Sequence, residues 1–358
     1  MFNKLTKRFR QAASLWKVKR LFRRRCGSIA PDRKTVVLDF RKADVFFRYQ
    51  FSIALAFKMS GWNVVWIFRP KMFLQSWEFQ ANLEWAEKCG IYWCLRNPKS
   101  LAKGSSSCFL ITDGEGSRIE HFHRLIQLKS LDSSSIVNER DVIVPFFGYP
   151  EFLLKSWDPS GLANRPRARF RVAFVGNCDP KKYSERVSNL CSVTRAGAKA
   201  LLLREFAPEL MSIDLWDDKR KLGKNETAKF LFSDALRAFL YLDEYINVLL
   251  SADFFLVLPG IASSLTHSLY ESVFCGCIPI LGQCEEYQGV WQDRKNCLMY
   301  HDEASLVSSV KLALAMSEDQ VLELRHQAKQ TFEQNFGFSQ FAERVEKSET
   351  SVIWCRNV

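Results

Sequence analysis

The chain has 358 residues, 47% of them apolar and 25% charged, which suits two globular domains of ordinary size and excludes a disordered or low-complexity protein. Its net charge of +12 sits almost entirely at one end: residues 1–25 carry ten Lys or Arg and no acid, so the rest of the chain is close to neutral. Eleven scattered cysteines without a CxxC pair exclude a disulfide framework and the usual zinc spacing, and read as reduced, small apolar residues of a reducing compartment.

Within the basic arm, taken as residues 1–30, Phe2, Leu5, Phe9, Ala12 and Trp16 recur at three- and four-residue steps. This periodicity predicts an amphipathic helix whose apolar stripe and Lys/Arg face suit the surface of an anionic bilayer. A helix packed on the body and a nucleic-acid arm are the competing readings; a nucleic-acid partner is not expected. Basic residues interrupt the first 25 positions too often for a signal peptide, and no apolar run reaches the roughly 18 residues of a spanning helix. The expected location is cytoplasmic, with peripheral membrane association through residues 1–25.

Residues 31–160 read as a first α/β domain. TVVLDF at 35–40 suits a buried strand, an apolar-rich helix should cover 44–59 and stop at Ser60-Gly61, and NVVWIF at 63–68 suits a second strand. Strand, helix and strand in this span predict a parallel βαβ unit. A helix at 77–89, a strand at 108–112, the loop Asp113-Gly114-Glu115-Gly116 and a last strand with an exit turn at 141–150 continue the alternation. Residues 151–169, with Pro159, Gly161 and Pro166, are the expected linker.

Residues 161–340 read as a second such domain, and 341–358 as a C-terminal tail or helix. RVAFVGN at 171–177 is a strand closing on the turn Gly176-Asn177; a helix carrying Arg186 and Leu190 should follow. The Leu-, Ala- and Phe-rich stretch 227–250 reads as a long helical region, and DFFLVLPG at 253–260 as the next strand. The fold class is therefore α/β: two Rossmann-like parallel-sheet domains facing a cleft, preceded by the basic amphipathic helix.

The segment 263–282, SSLTHSLYESVFCGCIPILG, carries the densest chemistry. Ser263 or Ser264 can cap a helix running to about Cys275, with Leu265, Leu269 and Val273 toward the sheet and Gly276 as its left-handed terminator. A return strand at 277–281 contains Pro279, which donates no hydrogen bond, so that strand must be short, lie at an edge or turn there. The helix begins just past a strand's carboxyl end, where ligands sit in open α/β sheets and where free N–H groups favour phosphate. Ser263, Ser264 and Thr266 add hydroxyls there. His267 and Glu271 share a face with Ser264, and a carboxylate on that face can accept two hydrogen bonds from a ribose diol. A solvated Glu271, a hydroxyl cluster that only caps, and a surface His267 are the plain alternatives. The dinucleotide fingerprint and the phosphate-binding loop motif are both absent from the sequence.

The stretch ADFFLVLPGIASSLTHSLYESVFCGCIPILG at 252–282 resembles the donor-binding segment of exostosin-like glycosyltransferases of the GT-B fold. The matching residues are Pro259, Gly260, Ser264, Glu271, Gly276, Cys277, Ile278, Pro279 and Ile280. FVGN followed by Arg186 also resembles the start of that family's second domain. The resemblance implies transfer of a sugar from a nucleotide-sugar donor held by the second domain to a glycan or lipid-linked acceptor bound on the first, with Glu271 on the ribose. Donor contacts are then expected from Gly176, Asn177, Arg186, Ser264, Thr266, His267, Ser268 and Glu271. The family commonly has Arg where this chain has Ser268, so the diphosphate charge must be met elsewhere, by Arg186, Lys181, Lys182, Arg237 or the helix start.

Fucosyltransferase-like GT-B enzymes are the near neighbour, sharing residue types at Thr266, Leu269, Tyr270, Gly276 and Ile278-Pro279, with their Glu-Lys pair replaced by His267-Ser268. A GT-B-like binding protein without catalysis is the remaining alternative. No Asp-x-Asp metal signature is present, and neither a metal nor a cofactor beyond the nucleotide-sugar co-substrate is expected. An inverting reaction needs a base from the first domain. The candidates are Asp113 and Glu115 in their Gly-rich loop, Asp44 and Asp39, with His121 and His123 weaker ones.

Overall fold

The computed structural model describes residues 32–40, 47–67, 89–94, 107–114, 122–131, 142–144, 168–183, 193–213, 229–260, 266–283, 289–348 and 352–356. The chain divides into two compact units, Met1–Pro145 with Phe338–Asn357, and Phe146–Gly337 with Val358. The predicted basic helix of residues 1–30 lies outside the described residues.

Unit 1 is built on strands β1 (Thr35–Asp39), β2 (Asn63–Ile67), β3 (Tyr92–Cys94), β4 (Cys108–Thr112), β5 (Arg124–Leu131), β6 (Val142–Ile143) and, from the end of the chain, β13 (Val352–Arg356). They form one parallel sheet in the order β3-β2-β1-β4-β5-β13-β6. Val36, Val37 and Leu38 of β1 are wholly buried, which is why the strand reads as a continuous apolar run: both faces of a parallel strand are covered. Helix α1 (Phe47–Met59) packs on β1 and β2 and meets α7 (Phe338–Lys347), where Phe57 and Phe341 are edge to face at 6.2 Å. It ends as its sequence predicts. Gly61 has φ +82°, Trp62 N donates to Phe57 O and Gly61 N to Lys58 O, the paired bonds of a glycine-terminated helix. The helix expected at 77–89 falls outside the described residues up to 88.

The segment 341–358, read from the sequence as a tail or helix, holds the rest of helix α7 and then a strand that was not expected. After α7, β13 enters the first sheet between β5 and β6. The division between units falls at Pro145, ahead of the linker expected at 151–169, and the second crossing follows Gly337. The run Val352-Ile353-Trp354 has strand character, but the partners that make it a strand lie more than 200 residues earlier and leave no local trace.

Unit 2 contains β7 (Phe170–Gly176), α2 (Arg195–Glu205), β8 (Leu210–Ile213), β9 (Phe230–Asp234), α3 (Leu242–Leu250), β10 (Ala252–Val257), α4 (His267–Phe274), β11 (Ile278–Gly282), β12 (Leu298–Tyr300), α5 (Glu303–Ala315) and α6 (Glu318–Phe336). Its sheet is parallel, in the order β12-β11-β10-β7-β9-β8. The expected pair of parallel-sheet α/β domains is thus present. The long helix expected over 227–250 is instead strand β9, a connection at 235–241 and helix α3. Phe230, Leu231 and Phe232 are all wholly buried, and an apolar run with no polar face does not declare its period.

Strand β11 and the end of helix α4 follow the sequence reading, but the start does not: the helix begins at His267 with Thr266 as its cap, not Ser263 or Ser264. Gly276 has φ +81°, and Cys277 N donates to Ser272 O and Gly276 N to Val273 O, both at 2.8 Å. β11 is not an edge strand. It is short, and its ladder to β12 begins at Ile280, so Pro279 has a paired strand only on the β10 side.

Candidate functional site

The strand order of unit 2 fixes where a ligand can enter. From β7 the chain goes to the edge strand β8 and returns to β9 beside β7, then crosses to β10, β11 and β12 on the other side. The carboxyl ends of β7 and β10 therefore flank a switch point, where loops leave in opposite directions and open a crevice. A pocket lies there. One wall is Gly176, Asn177 and Arg195; a second is His267 and Ser268 at the start of α4; the third is apolar, with Phe239, Leu240 and Leu242. Val175, Tyr183, Ala235 and Tyr245 complete it.

Arg195 is the charge of this pocket, and the sequence reading did not single it out. It is the first residue of α2, whose cap is Thr194, with Gly197 N donating to Thr194 Oγ1 at 3.1 Å. Its guanidinium bridges the switch point. Nε donates to Pro259 O at 2.8 Å, Nη2 to Leu258 O at 3.3 Å and Nη1 to Asn177 O at 3.3 Å, and the group lies over the Tyr183 ring at 4.5 Å. Arg195 is only 8% exposed, and among the described residues no carboxylate pairs with it. Three of its five N–H groups hold carbonyls, so the charge is positioned but not neutralised. Gly176 makes room for it: a Cβ there would stand 2.8 Å from the Phe174 ring and 3.3 Å from Arg195 Nη1.

Asp234, at the end of β9, ties together the loops that carry this wall. It accepts from Cys178 N at 3.1 Å, Leu236 N at 3.0 Å and Lys199 Nζ at 2.9 Å, while Ala235 N donates to Gly176 O. Burial pushes its carboxyl up, but the bond from Lys199, the two backbone bonds and the Lys199 charge overcome this and hold it below its ordinary value. A lowered acid contributes stability that is present above its unfolded pKa of about 3.9 and lost as pH falls through the folded value. Asp234→Asn should accordingly lower unfolding free energy in urea at pH 7 by about 1.5–3 kcal/mol. The gap to wild type should narrow as the pH falls below the unfolded pKa of about 3.9; a gap that keeps its size there would remove the charge from the argument.

At the start of α4 the cap is Thr266, whose side chain turns to Ser268 (Oγ1 to Oγ, 2.7 Å) and makes no capping bond. Ser268 is buried and lines the pocket. His267 also lines it, with Nδ1 2.9 Å from Glu271 Oε2. Glu271 does not face the crevice as expected: its side chain is 0% exposed and also accepts from Tyr245 Oη at 3.0 Å. Gly176 and Asn177 are at the pocket, although the Asn177 side chain accepts from Asp179 N and closes its own turn. Lys181, Lys182 and Arg237 are exposed, and Ser264 and Arg186 lie outside the described residues.

In unit 1, Asp39 and Asp113 share the carboxyl edge of the sheet, since β1 and β4 pair Asp39 with Thr112. Thr112 Oγ1 donates to Asp39 O and accepts from Gly114 N, which fixes the turn that presents the half-buried Asp113. Asp44, Glu115 and His121 are outside the described residues. His123 stands at the other end: its Nδ1 accepts from Cys108 N at the first residue of β4, so this ring secures a strand start and is removed from the list of bases. Among the described residues no group of His, Cys, Asp or Glu could hold a metal ion, and no helix is long and apolar enough to cross a membrane.

No protein-family model matches the chain, and no curated protein matches it by sequence. Among solved structures, it is similar to a glycosyltransferase from Rickettsia africae at 11% identity and a TM-score of 0.48, covering 88% of this chain and 97% of that one. It is similar to HepE from Anabaena, solved with UDP, at 11% identity and a TM-score of 0.46, over 88% and 98% of the two chains. The sucrose-phosphate synthase of Thermosynechococcus elongatus gives 13% identity and a TM-score of 0.43 over 88% and 98%. Likenesses this distant carry no weight on activity, and the fold stands on its own strand order.

Proposed function

We propose that the protein is a glycosyltransferase of the GT-B kind, exostosin-like, whose unit 2 holds a nucleotide-sugar donor and whose unit 1 serves a glycan or lipid-linked acceptor. One observation carries this reading: a buried, uncompensated guanidinium lining the same pocket as an aromatic and aliphatic surface. The first suits a diphosphate and the second a nucleobase. Arg195 also answers the departure at Ser268, since a cation reaches the pocket from α2 in place of the one missing from α4. This weakens the alternative of a GT-B-like protein that has lost its donor site.

In the reaction the bond from the anomeric carbon to the diphosphate oxygen breaks, and the electron pair leaves with the nucleoside diphosphate. The acceptor oxygen forms the new bond to that carbon and gives up its proton. Arg195 and the start of α4 would stabilise the leaving group, which is where charge develops. Proton removal falls to a carboxylate of unit 1, for which Asp113 is the described candidate.

Thermal shift with UDP, GDP, ADP and CDP tests the reading without an acceptor. Ligand at 100 times its Kd stabilises the folded state by about 2.7 kcal/mol. One diphosphate should raise the melting temperature more than its nucleoside or inorganic phosphate alone; no shift with any of the four would sink the proposal. Because the diphosphate charge is assigned to side chains and a helix start, donor hydrolysis should also persist in excess EDTA. Complete loss restored by Mg²⁺ or Mn²⁺ would contradict that assignment.

A further inference from the structure

The bonds at the base of the pocket determine more than packing. Glu271 Oε2 accepts from Tyr245 Oη at 3.0 Å and lies 2.9 Å from His267 Nδ1. An ionised carboxylate only accepts, and the Tyr245 hydroxyl spends its single hydrogen on it. With the carboxylate ionised, the hydrogen of the second contact lies on the imidazole Nδ1. The His267 ring is 34% exposed and lines the pocket, whereas Glu271 is 0% exposed and lies behind it. The orientation of the ring is thus imposed by a residue that does not reach the pocket.

We propose that Glu271 is a positioning residue that acts on the nucleotide through His267. It holds the imidazole by Nδ1 so that Nε2 serves an anionic oxygen of the diphosphate, while the buried carboxylate balances the charge of a doubly protonated ring. Tyr245, from α3, keeps the carboxylate in place, and Arg195 meets the same diphosphate from α2. The inference rests on the nucleotide reading above and replaces a direct carboxylate contact to ribose with an indirect one.

A double-mutant cycle separates the two. The probe is whichever of UDP, GDP, ADP and CDP gives the largest thermal shift, and its affinity is measured by calorimetry for wild type, H267Q, E271Q and the double variant. Each single change should weaken binding by about tenfold. The double variant should bind no more weakly than H267Q, because E271Q has nothing further to disturb once the ring is gone. Losses that multiply would show that Glu271 touches the ligand itself and overturn the proposal. So would an E271Q protein that binds as wild type, which would leave the carboxylate a packing role only. If E271Q does not fold, ¹⁵N-histidine spectra of wild type, with H267Q to assign the signal, decide instead. Nδ1 should be protonated and the Nε2 signal should move on adding the diphosphate; a ring protonated at Nε2 alone, or a signal that stays put, overturns it. Failure of the wild type to bind any of the four compounds removes the nucleotide reading and this inference with it, whereas binding with multiplicative losses removes only the latter.

Discussion

Arg195→Met should weaken binding of the nucleoside diphosphate by roughly 30-fold to 5000-fold, the cost of about 2–5 kcal/mol for removing a buried charge from its partner. Methionine keeps much of the volume and none of the charge. The same change leaves the carbonyls of Pro259, Leu258 and Asn177 without their donors, so unfolding free energy should fall as well, by about 1–3 kcal/mol. Those two effects are separable: calorimetry on folded protein well below its melting temperature reads affinity, and urea denaturation without ligand reads stability. Arg195→Lys is the informative partner. It restores the charge but not the planar fork that spans two strand ends, so it should recover part of the affinity and little of the stability. A methionine variant that is destabilised yet binds with wild-type affinity would reduce Arg195 to a clasp between β7 and β10 and leave the pocket without its phosphate cation.

Arg195 also shows what a sequence reading passes over. The second-domain cations weighed as phosphate contacts were those next to the recognised turn, Lys181, Lys182 and Arg186, together with Arg237. Arg195 reaches the pocket only because the connection after β7 returns to start α2 over the ends of two strands. One local sign was available. Thr194-Arg195-Ala196-Gly197 has a good cap followed by a cation at the first helical position, where the dipole disfavours it. A residue that breaks a local rule and is also buried is a candidate for function. The α4 segment was legible for the opposite reason. Gly61 and Gly276 end their helices through backbone bonds spanning five residues, so the information is contained in the stretch itself. Strand β9 and strand β13 were not legible, since one lacks a polar face and the other takes its identity from distant partners. Helical spacing ties Glu271 to His267, but the third member, Tyr245, comes from α3, and that contact to the buried carboxylate leaves no local sign.

Deleting residues 1–25 should release the protein from anionic vesicles and leave the diphosphate affinity of unit 2 unchanged. These residues lie outside the described structure, and the argument is one of composition: ten basic groups without an acid, on a stripe of Phe2, Leu5, Phe9 and Trp16. Each basic group near an anionic surface contributes about 1 kcal/mol, screened over roughly 10 Å in ordinary salt. Flotation with phosphatidylserine-rich vesicles should therefore fall steeply with ionic strength, and a remainder should persist where the aromatic residues enter the interface. Salt sensitivity alone decides nothing, because a nucleic-acid arm would show it too. The variant that separates the readings is Phe9→Ser with Trp16→Ser, which keeps every charge. Its vesicle binding should drop at least tenfold, on the basis of roughly 1.5–3 kcal/mol for each large apolar side chain withdrawn from water, while any binding to nucleic acid should be unaltered. Equal flotation of this variant and the wild type would show that the arm tethers by charge alone, without an in-plane helix.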